Sequence, residues 1–342
     1  MIDFETLSPD AAAIIMLCTS LGEPRDGAGE RPLGPVAFAR LAEALERASF
    51  QGPRELLGLS SDEVARSLSV GQDVAAGYVR RLARGGQLAF ELDRLRSRGV
   101  WVVTIADAAY PSRLRDRLGS SAPPVLFGSG PASLLDAGGV AIVGSRDADE
   151  AAVRFTEQLA SAAARGGTQV VSGGARGIDA VSMAAAFEAG GTVVGVVPEG
   201  VERRLREAST RAAIAGGQAV LVSPYHPAAG FSAGAAMGRN KLIYALADVA
   251  VVVSSAEGSG GTWTGAIEAL KAGWVPVLVR DDAEALTPAG NAALIAQGAA
   301  PLRSEDLTEA LTVTDLIALA PVSTHRAAEP GAPYEQGQLF DA

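Results

Sequence analysis

Two glycine-rich segments that each carry one arginine are the strongest chemical signal in this chain. They are Gly144-Ser145-Arg146 and the longer run Ser172-Gly173-Gly174-Ala175-Arg176-Gly177-Ile178-Asp179. Each follows a short apolar run of the kind that forms a buried strand. Glycine lets backbone N–H groups approach a phosphate closely, and arginine neutralises the phosphate charge. Together they predict a site for an anionic ligand, although one such turn alone could equally be a tight turn with its arginine in solvent.

Two further segments add hydrogen-bond donors. The run Gly238-Arg239-Asn240-Lys241 is predicted to start a helix over 242–247, and the run Gly258-Ser259-Gly260-Gly261-Thr262 to join a strand to a helix. Loops that follow parallel strands open at one edge of a sheet, so we expect one phosphate-binding rim. Asp179 is expected to cap or orient Arg176 rather than to touch the ligand. The candidate phosphate-binding residues are Gly144, Ser145, Arg146, Ser172, Gly173, Gly174, Arg176, Gly177, Arg239, Asn240, Lys241, Gly258, Ser259, Gly260, Gly261 and Thr262.

The elements that must position these segments alternate between strand and helix from Trp101 onward. Strands are predicted near 101–105, 139–143, 168–171, 191–197, 219–222, 249–253 and 275–279. This alternation predicts an α/β fold, with a mostly parallel sheet and helices on both faces.

The two ends of the chain have different patterns. Residues 1–100 contain helical stretches at 35–48, 61–68 and 72–98, so we expect a small helical domain before a sheet domain over 101–305. A C-terminal helix and a flexible tail are expected over 306–342, because residues 320–342 hold three prolines and few apolar residues.

Composition narrows the function classes. The chain has 342 residues, 48% of them hydrophobic, which excludes general disorder. Its formal net charge of −10 means that any nucleic-acid contact must come from a local cluster of arginines. The single cysteine, Cys18, excludes a disulfide framework and a thiolate metal site, and it fits a reducing cytoplasm. No signal peptide and no membrane-spanning run are expected.

Catalytic signals are sparse. The two histidines, His226 and His325, have no partner at metal-ligand spacing, so we predict no metal, no cofactor and no enzymatic activity. The loop at Gly260 with Glu268 resembles the glycine-rich loop of nucleoside monophosphate phosphoribohydrolases, but the helical spacing turns this carboxylate away from the position that chemistry needs. A nucleotide sensor or a nucleotide hydrolase that depends on Glu268 remains an alternative. Trp263 could stack a base or pack in the core.

Several of these motifs occur together in the order found in one family. The chain resembles the DNA processing protein A family (DprA, also called Smf) over roughly residues 100–300. The matching runs are Tyr110-Pro111, Pro124-Val125-Leu126-Phe127, Ala141-Ile142-Val143-Gly144-Ser145-Arg146, Ser172 to Asp179, Arg239-Asn240, Gly258-Ser259-Gly260 and Gly290-Asn291 to Gly298-Ala299.

The resemblance implies a Rossmann-like domain after a small helical domain of the SAM or helix-hairpin-helix kind. It implies a homodimer that binds single-stranded DNA without catalysis, and that loads RecA or protects incoming DNA during natural transformation. Arg146, Arg176, Arg239 and Lys241 would neutralise successive phosphates. The chain departs from the family pattern at Val181 and around 231–241, which indicates a divergent branch. A regulatory or antitoxin partner in a phage-defence operon is a further alternative.

The tail carries a separate signal. Gln336, Leu339 and Phe340 resemble the short Gln-x-x-Leu-Phe peptide with which bacterial replication and repair proteins dock on the sliding clamp. The tail could equally fold back onto its own domain.

Overall fold

A computed structural model of the chain describes residues 7–23, 30–282 and 288–320. The strands are β1 (Trp101–Thr104), β2 (Val125–Ser129), β3 (Val140–Gly144), β4 (Val170–Ser172), β5 (Val193–Val196), β6 (Ala219–Ser223), β7 (Val249–Ser254), β8 (Val277–Arg280) and β9 (Ala300–Leu302). The α-helices are α1 (Pro9–Cys18), α2 (Pro35–Arg47), α3 (Ser61–Leu68), α4 (Gln72–Leu82), α5 (Gly85–Ser97), α6 (Ser112–Leu118), α7 (Glu150–Arg165), α8 (Ile178–Glu188), α9 (Val201–Arg204), α10 (Ala208–Ala215), α11 (Ala233–Leu246), α12 (Gly260–Ala272), α13 (Ala289–Ala296) and α14 (Val313–Ala318).

The strands form one sheet in the order β1-β2-β6-β5-β4-β3-β7-β8-β9. Strand β2 runs antiparallel to its neighbours β1 and β6, and the strands from β6 to β9 are parallel. The predicted mostly parallel α/β sheet is confirmed. The order reverses at β3, because β4 pairs on one side of it and β7 returns to the other. In such sheets, a crevice opens at this reversal beyond the carboxyl ends of the strands.

The sheet is buried on both faces because successive strand residues point to opposite sides. In β3, Ala141 and Val143 belong to the core on the side of α11 and α12, whereas Val140 and Ile142 belong to the core on the side of α7 and α8. This double burial explains why the parallel strands are continuous apolar runs rather than alternating ones.

The N-terminal helices share a third core with one end of the sheet. Buried side chains of α1–α5 pack with Val125 and Phe127 of β2 and with Leu221 of β6. Glu202 of α9 also accepts hydrogen bonds from Arg94 at 2.8 Å and from Arg98 at 3.0 Å. The helical segment therefore precedes the sheet in sequence and packs directly against it in space. The boundary at residue 100 stays a prediction.

The helix predicted over Gln72–Arg98 is corrected to two helices, α4 and α5, which are separated at Ala83-Arg84. The guanidinium group of Arg84 is buried and donates hydrogen bonds to the carbonyls of Met16, Thr19 and Leu21 near the end of α1. The break therefore places a cation where the final carbonyls of α1 need donors.

Two strands were not predicted. Strand β2 follows Pro123 and Pro124 and contains Gly128, which weakens its strand pattern. Strand β9 has three residues with Pro301 at its centre, a residue that sheets accept only at an edge. The predicted clamp peptide with Gln336, Leu339 and Phe340, and also His325, lie outside the described residues.

Candidate functional site

A cavity of about 410 Å³ lies where the strand order reverses, between the carboxyl ends of β3 and β7. Its walls are the loop Gly144–Asp147 after β3, the segment Ser254–Ala256 at the end of β7, one side of α11 and the first turn of α12. The topology rule for parallel sheets thus places the cavity where the sequence predicted the rim.

The cavity brings together only part of the predicted set. The predicted residues that line it are Gly144, Ser145, Arg146, Asp179, Arg239, Asn240, Ser259, Gly260, Gly261 and Thr262. The predicted residues that lie outside its lining are Ser172, Gly173, Gly174, Arg176, Gly177, Lys241 and Gly258. From the loop after β4, Ala175 lines the cavity, and Gly177 packs against the loop after β3. The φ of Gly177 is +77°, and an added Cβ would stand 2.4 Å from the carbonyl oxygen of Ser145.

Arg239 lies within a helix rather than at the helix start that the sequence predicted. Helix α11 begins at Ala233, where the N-cap Ser232 accepts a hydrogen bond from the backbone N–H of Ala235 at 3.0 Å. Arg239 is therefore in the second turn, and its side chain turns into the protein with a relative exposure of 3%. Its Nη2 donates to the carbonyl of Gly173 at 2.9 Å. The cation that the sequence placed at a helix start is therefore a buried cation within the helix.

Part of this buried guanidinium group is unsatisfied. Among the residues that the structure describes, neither Nε nor Nη1 of Arg239 has a hydrogen-bond partner, and the same is true of the hydroxyl of Tyr244. Both side chains line the cavity. Burial lowers the pKa of Arg239, but guanidinium groups stay charged in proteins. Each buried donor left unpaired costs about 1–3 kcal/mol, so the part of the cavity that Arg239 and Tyr244 line, its floor, is suited to a ligand with acceptor oxygens.

The sequence predicted that Asp179 caps or orients Arg176. In the structure, Asp179 pairs with Arg239 instead. Its Oδ2 lies 4.0 Å from Nη2 of Arg239. Burial is the main cause that raises its pKa to about 6, and the nearby Arg239 and the backbone groups of Ala175 and Gly144 oppose that rise. Arg176 instead forms an exposed 2.9 Å ion pair with Asp147.

Lys241 and Glu268 lie away from the cavity. Nζ of Lys241 donates to the carbonyl of Ser121 at 2.8 Å, on the side of α11 that meets α6. The pKa of Glu268 is raised by burial, and Lys241 is the nearby cation that opposes the rise. Neither residue lines the cavity. Trp263 packs against the core on the α11 side of the sheet.

An exposed aromatic ring marks the mouth of the cavity. The guanidinium carbon of Arg146 lies 5.4 Å from the ring centre of Phe231, a cation–π geometry. Phe231 is 52% exposed, and Met237 on α11 is 54% exposed. Phe231, Met237 and Tyr244 are not among the site residues predicted from the sequence. An aromatic residue in the small and polar stretch before α11 was the signal that could have identified Phe231.

Over residues 7–23, 30–282 and 288–320, no group of three His, Cys, Asp or Glu side chains is placed to hold a metal ion. Nor is any helix there long and apolar enough to cross a membrane.

Comparisons with known proteins point to one family. A profile of the family described as DNA recombination-mediator protein A matches residues 101–312. DNA processing protein DprA of Bacillus subtilis (strain 168) is 31% identical over 219 residues, which cover 63% of this chain and 73% of that protein. The putative DNA processing protein DprA of Mycobacterium tuberculosis (strain CDC 1551 / Oshkosh) is 30% identical over 295 residues, which cover 81% of this chain and 73% of that protein.

The fold is also similar to a solved one. The X-ray structure of DNA processing protein A from Streptococcus pneumoniae aligns with a TM-score of 0.69 and 20% identity, covering 92% of this chain and 99% of that chain. At this identity the likeness concerns the fold alone.

Proposed function

The chain belongs to the DNA recombination-mediator protein A family, and from this membership we propose that it binds single-stranded DNA at the cavity between β3 and β7 and at the mouth of that cavity. The observation that carries the proposal is the exposed Phe231 beside Arg146, which lines the same cavity as the buried Arg239. A ring for a base and cations for phosphates within one site are what single-strand binders combine.

In this mechanism, phosphate contacts position the DNA strand, and no base edge is recognised. Arg146 meets a phosphate at the mouth, and the N-terminus of α12 offers backbone N–H groups at Gly260 and Gly261. Phe231 stacks a base that is free of a duplex, because stacking needs an exposed base face. Such contacts tolerate any sequence and weaken with salt. We infer that the protein acts in DNA processing by binding rather than by catalysis.

The test is fluorescence anisotropy of a labelled oligo-dT strand over a salt series. We expect the variant Arg146→Ala/Phe231→Ala to bind at least about tenfold more weakly, with a salt slope smaller by roughly one phosphate contact. The matched control is Arg47→Ala/Phe90→Ala, which removes a 70% exposed arginine side chain and a 73% exposed phenylalanine on the N-terminal helices. Equal losses in both double variants, or no binding by the wild type at low salt, would defeat the proposal.

Three partner proposals accompany this function. We propose that the protein is a cytoplasmic homodimer, that it delivers single-stranded DNA to RecA, and that the tail at 336–340 docks on the sliding clamp. The support for dimerisation is the position of β9 as an edge strand of the sheet in the described part of the chain. Light scattering at known concentration tests the dimer. Co-purification with RecA tests the second proposal. Co-purification with the clamp, with and without residues 336–340, tests the third.

A further inference from the structure

The donors at the cavity floor are placed for one compact anion. Arg239 is only 3% exposed, yet its Nε and Nη1 have no hydrogen-bond partner among the described residues. The hydroxyl of Tyr244, 1% exposed and likewise unpartnered in that part of the chain, lines the same cavity. A guanidinium group and a hydroxyl together can donate several hydrogen bonds to the oxygens of a single phosphate.

A helix terminus faces the same cavity. Helix α12 has 13 residues, and Ser259, Gly260 and Gly261 at its start line the cavity wall. No side chain in the described part of the protein caps this terminus. Its backbone N–H groups and its positive dipole end therefore remain available to an anion that reaches the floor.

The depth of the cation limits which phosphate can reach it. An internal phosphate of a strand has a nucleoside on each side, so both neighbours would have to enter the cavity of about 410 Å³. A terminal phosphate carries only one nucleoside and enters end-on. Because cavities of this size accommodate one small ligand, a strand end fits where a continuous strand does not.

Charge favours the same choice. A terminal phosphomonoester carries −1.5 to −2 charges near neutral pH and three free acceptor oxygens. An internal phosphodiester carries a single charge. Asp179, 4.0 Å from Arg239, offsets part of the Coulomb attraction. The monoester is favoured by its third free oxygen, which lets it accept from both the Arg239 guanidinium group and the Tyr244 hydroxyl.

We propose that the cavity floor binds a terminal nucleotide phosphomonoester, through Arg239, Tyr244 and the start of α12, so that DNA enters this site by a phosphorylated strand end. The inference rests on the proposed single-strand binding. The same chemistry is offered by a free nucleoside monophosphate, and the experiment separates the two sources.

The test compares three oligo-dT strands with an internal label: one with a 5′-phosphate, one with a 3′-phosphate and one with hydroxyls at both ends. The wild type is expected to bind a phosphorylated strand about tenfold more tightly than the hydroxyl strand. Tyr244→Phe is expected to reduce this preference several-fold, and Arg239→Lys to abolish it. Tyr225→Phe is the matched control, because the Tyr225 hydroxyl donates to the carbonyl of Ala235 and does not line the cavity. Thermal denaturation verifies that every variant is folded.

Each outcome has one meaning. Equal binding of all three strands by the wild type overturns this inference and leaves single-strand binding intact. Binding of thymidine monophosphate but not thymidine in calorimetry, with no binding of any strand, supports the phosphomonoester site and defeats the DNA proposal. If neither strands nor thymidine monophosphate bind, both proposals fail. A phosphate preference that survives in Arg239→Lys and Tyr244→Phe overturns the assignment to this floor.

Discussion

At the scale of single residues, the ionisation of Asp179 at the cavity makes the free energy of unfolding depend on pH. Burial raises its pKa from 3.8 to about 6. The folded state thus binds this proton more tightly than the unfolded chain. The contribution to the free energy of unfolding is complete below pH 3.8 and is lost as the pH rises through about 6. We expect this loss to reach about 3 kcal/mol by neutral pH.

Asp179→Asn isolates this effect, because an amide keeps the shape of the side chain but does not titrate. Urea denaturation of both proteins between pH 4 and pH 7 gives the two stability profiles. The wild type should lose stability relative to the variant as the pH rises, and parallel profiles would contradict the assignment.

Gly173 sets the position of the Arg239 guanidinium group. A Cβ added at Gly173 would stand 2.0 Å from Nη1 of Arg239, so Gly173→Ala must displace a buried cation. We expect a loss of about 1–3 kcal/mol in the free energy of unfolding, together with weaker binding of oligo-dT. Gly234→Ala is the matched control. An added Cβ there meets nothing within 4 Å in the first turn of α11, so its stability should be unchanged or slightly higher. Equal stability losses would argue against this role.

At the scale of elements, Asn291 of α13 fixes the wall of the cavity at the end of β7. Its Nδ2 donates to the carbonyls of Val253 and Arg280 at 3.0 Å each, and its Oδ1 accepts the backbone N–H of Ser255 at 2.9 Å. Because Asn291 is fully buried, Asn291→Ala should lower the free energy of unfolding by about 2–4 kcal/mol. Urea denaturation measures this loss. The control Gln297→Ala, at the exposed C-cap residue of the same helix, should change the free energy of unfolding by less than about 0.5 kcal/mol.

The parallel strands were predictable from sequence because burial on both faces makes them continuous apolar runs. The helix boundaries were not. The segment Ala233–Gly238 consists of small residues with little helical periodicity, so the start of α11 was predicted nine residues late, at Leu242 instead of Ala233. The late start also led to a wrong position for Arg239, because the position of a residue within a helix decides whether its side chain faces solvent or core.

The location of the cavity could also be predicted, since the edge of a parallel sheet follows from the βα alternation. Its pairings could not. Asp179 meets Arg239, 60 positions further along the chain, through the packing of α11 over β3 and β4. The closer residue, Arg176, was chosen from sequence because local spacing is all that a pattern offers, and the structure places it against Asp147. Tertiary packing thus decided which arginine is buried.

At the scale of the whole molecule, the N-terminal helices and the sheet bury one another's apolar surface. Phe127 of β2 is 1% exposed and lies in the same cluster as Leu41 of α2 and Leu95 of α5. Neither part keeps this surface covered alone, so they should unfold together. We expect coincident urea transitions from far-ultraviolet circular dichroism, which reports on all helices, and from tryptophan fluorescence, which reports on the sheet domain.

Phe127→Ala provides the decisive variant, since it opens a cavity in the shared cluster. The variant should lower the free energy of unfolding by about 3–5 kcal/mol, and both probes should shift together because the loss falls on both parts at once. Phe90→Ala removes a 73% exposed ring from α5 and should change neither transition by more than about 0.5 kcal/mol. If the fluorescence transition moved while the dichroism separated into two steps, the helices and the sheet would be independent domains. The packing of the N-terminal helices against the sheet would then not stabilise the part of the protein that holds the cavity.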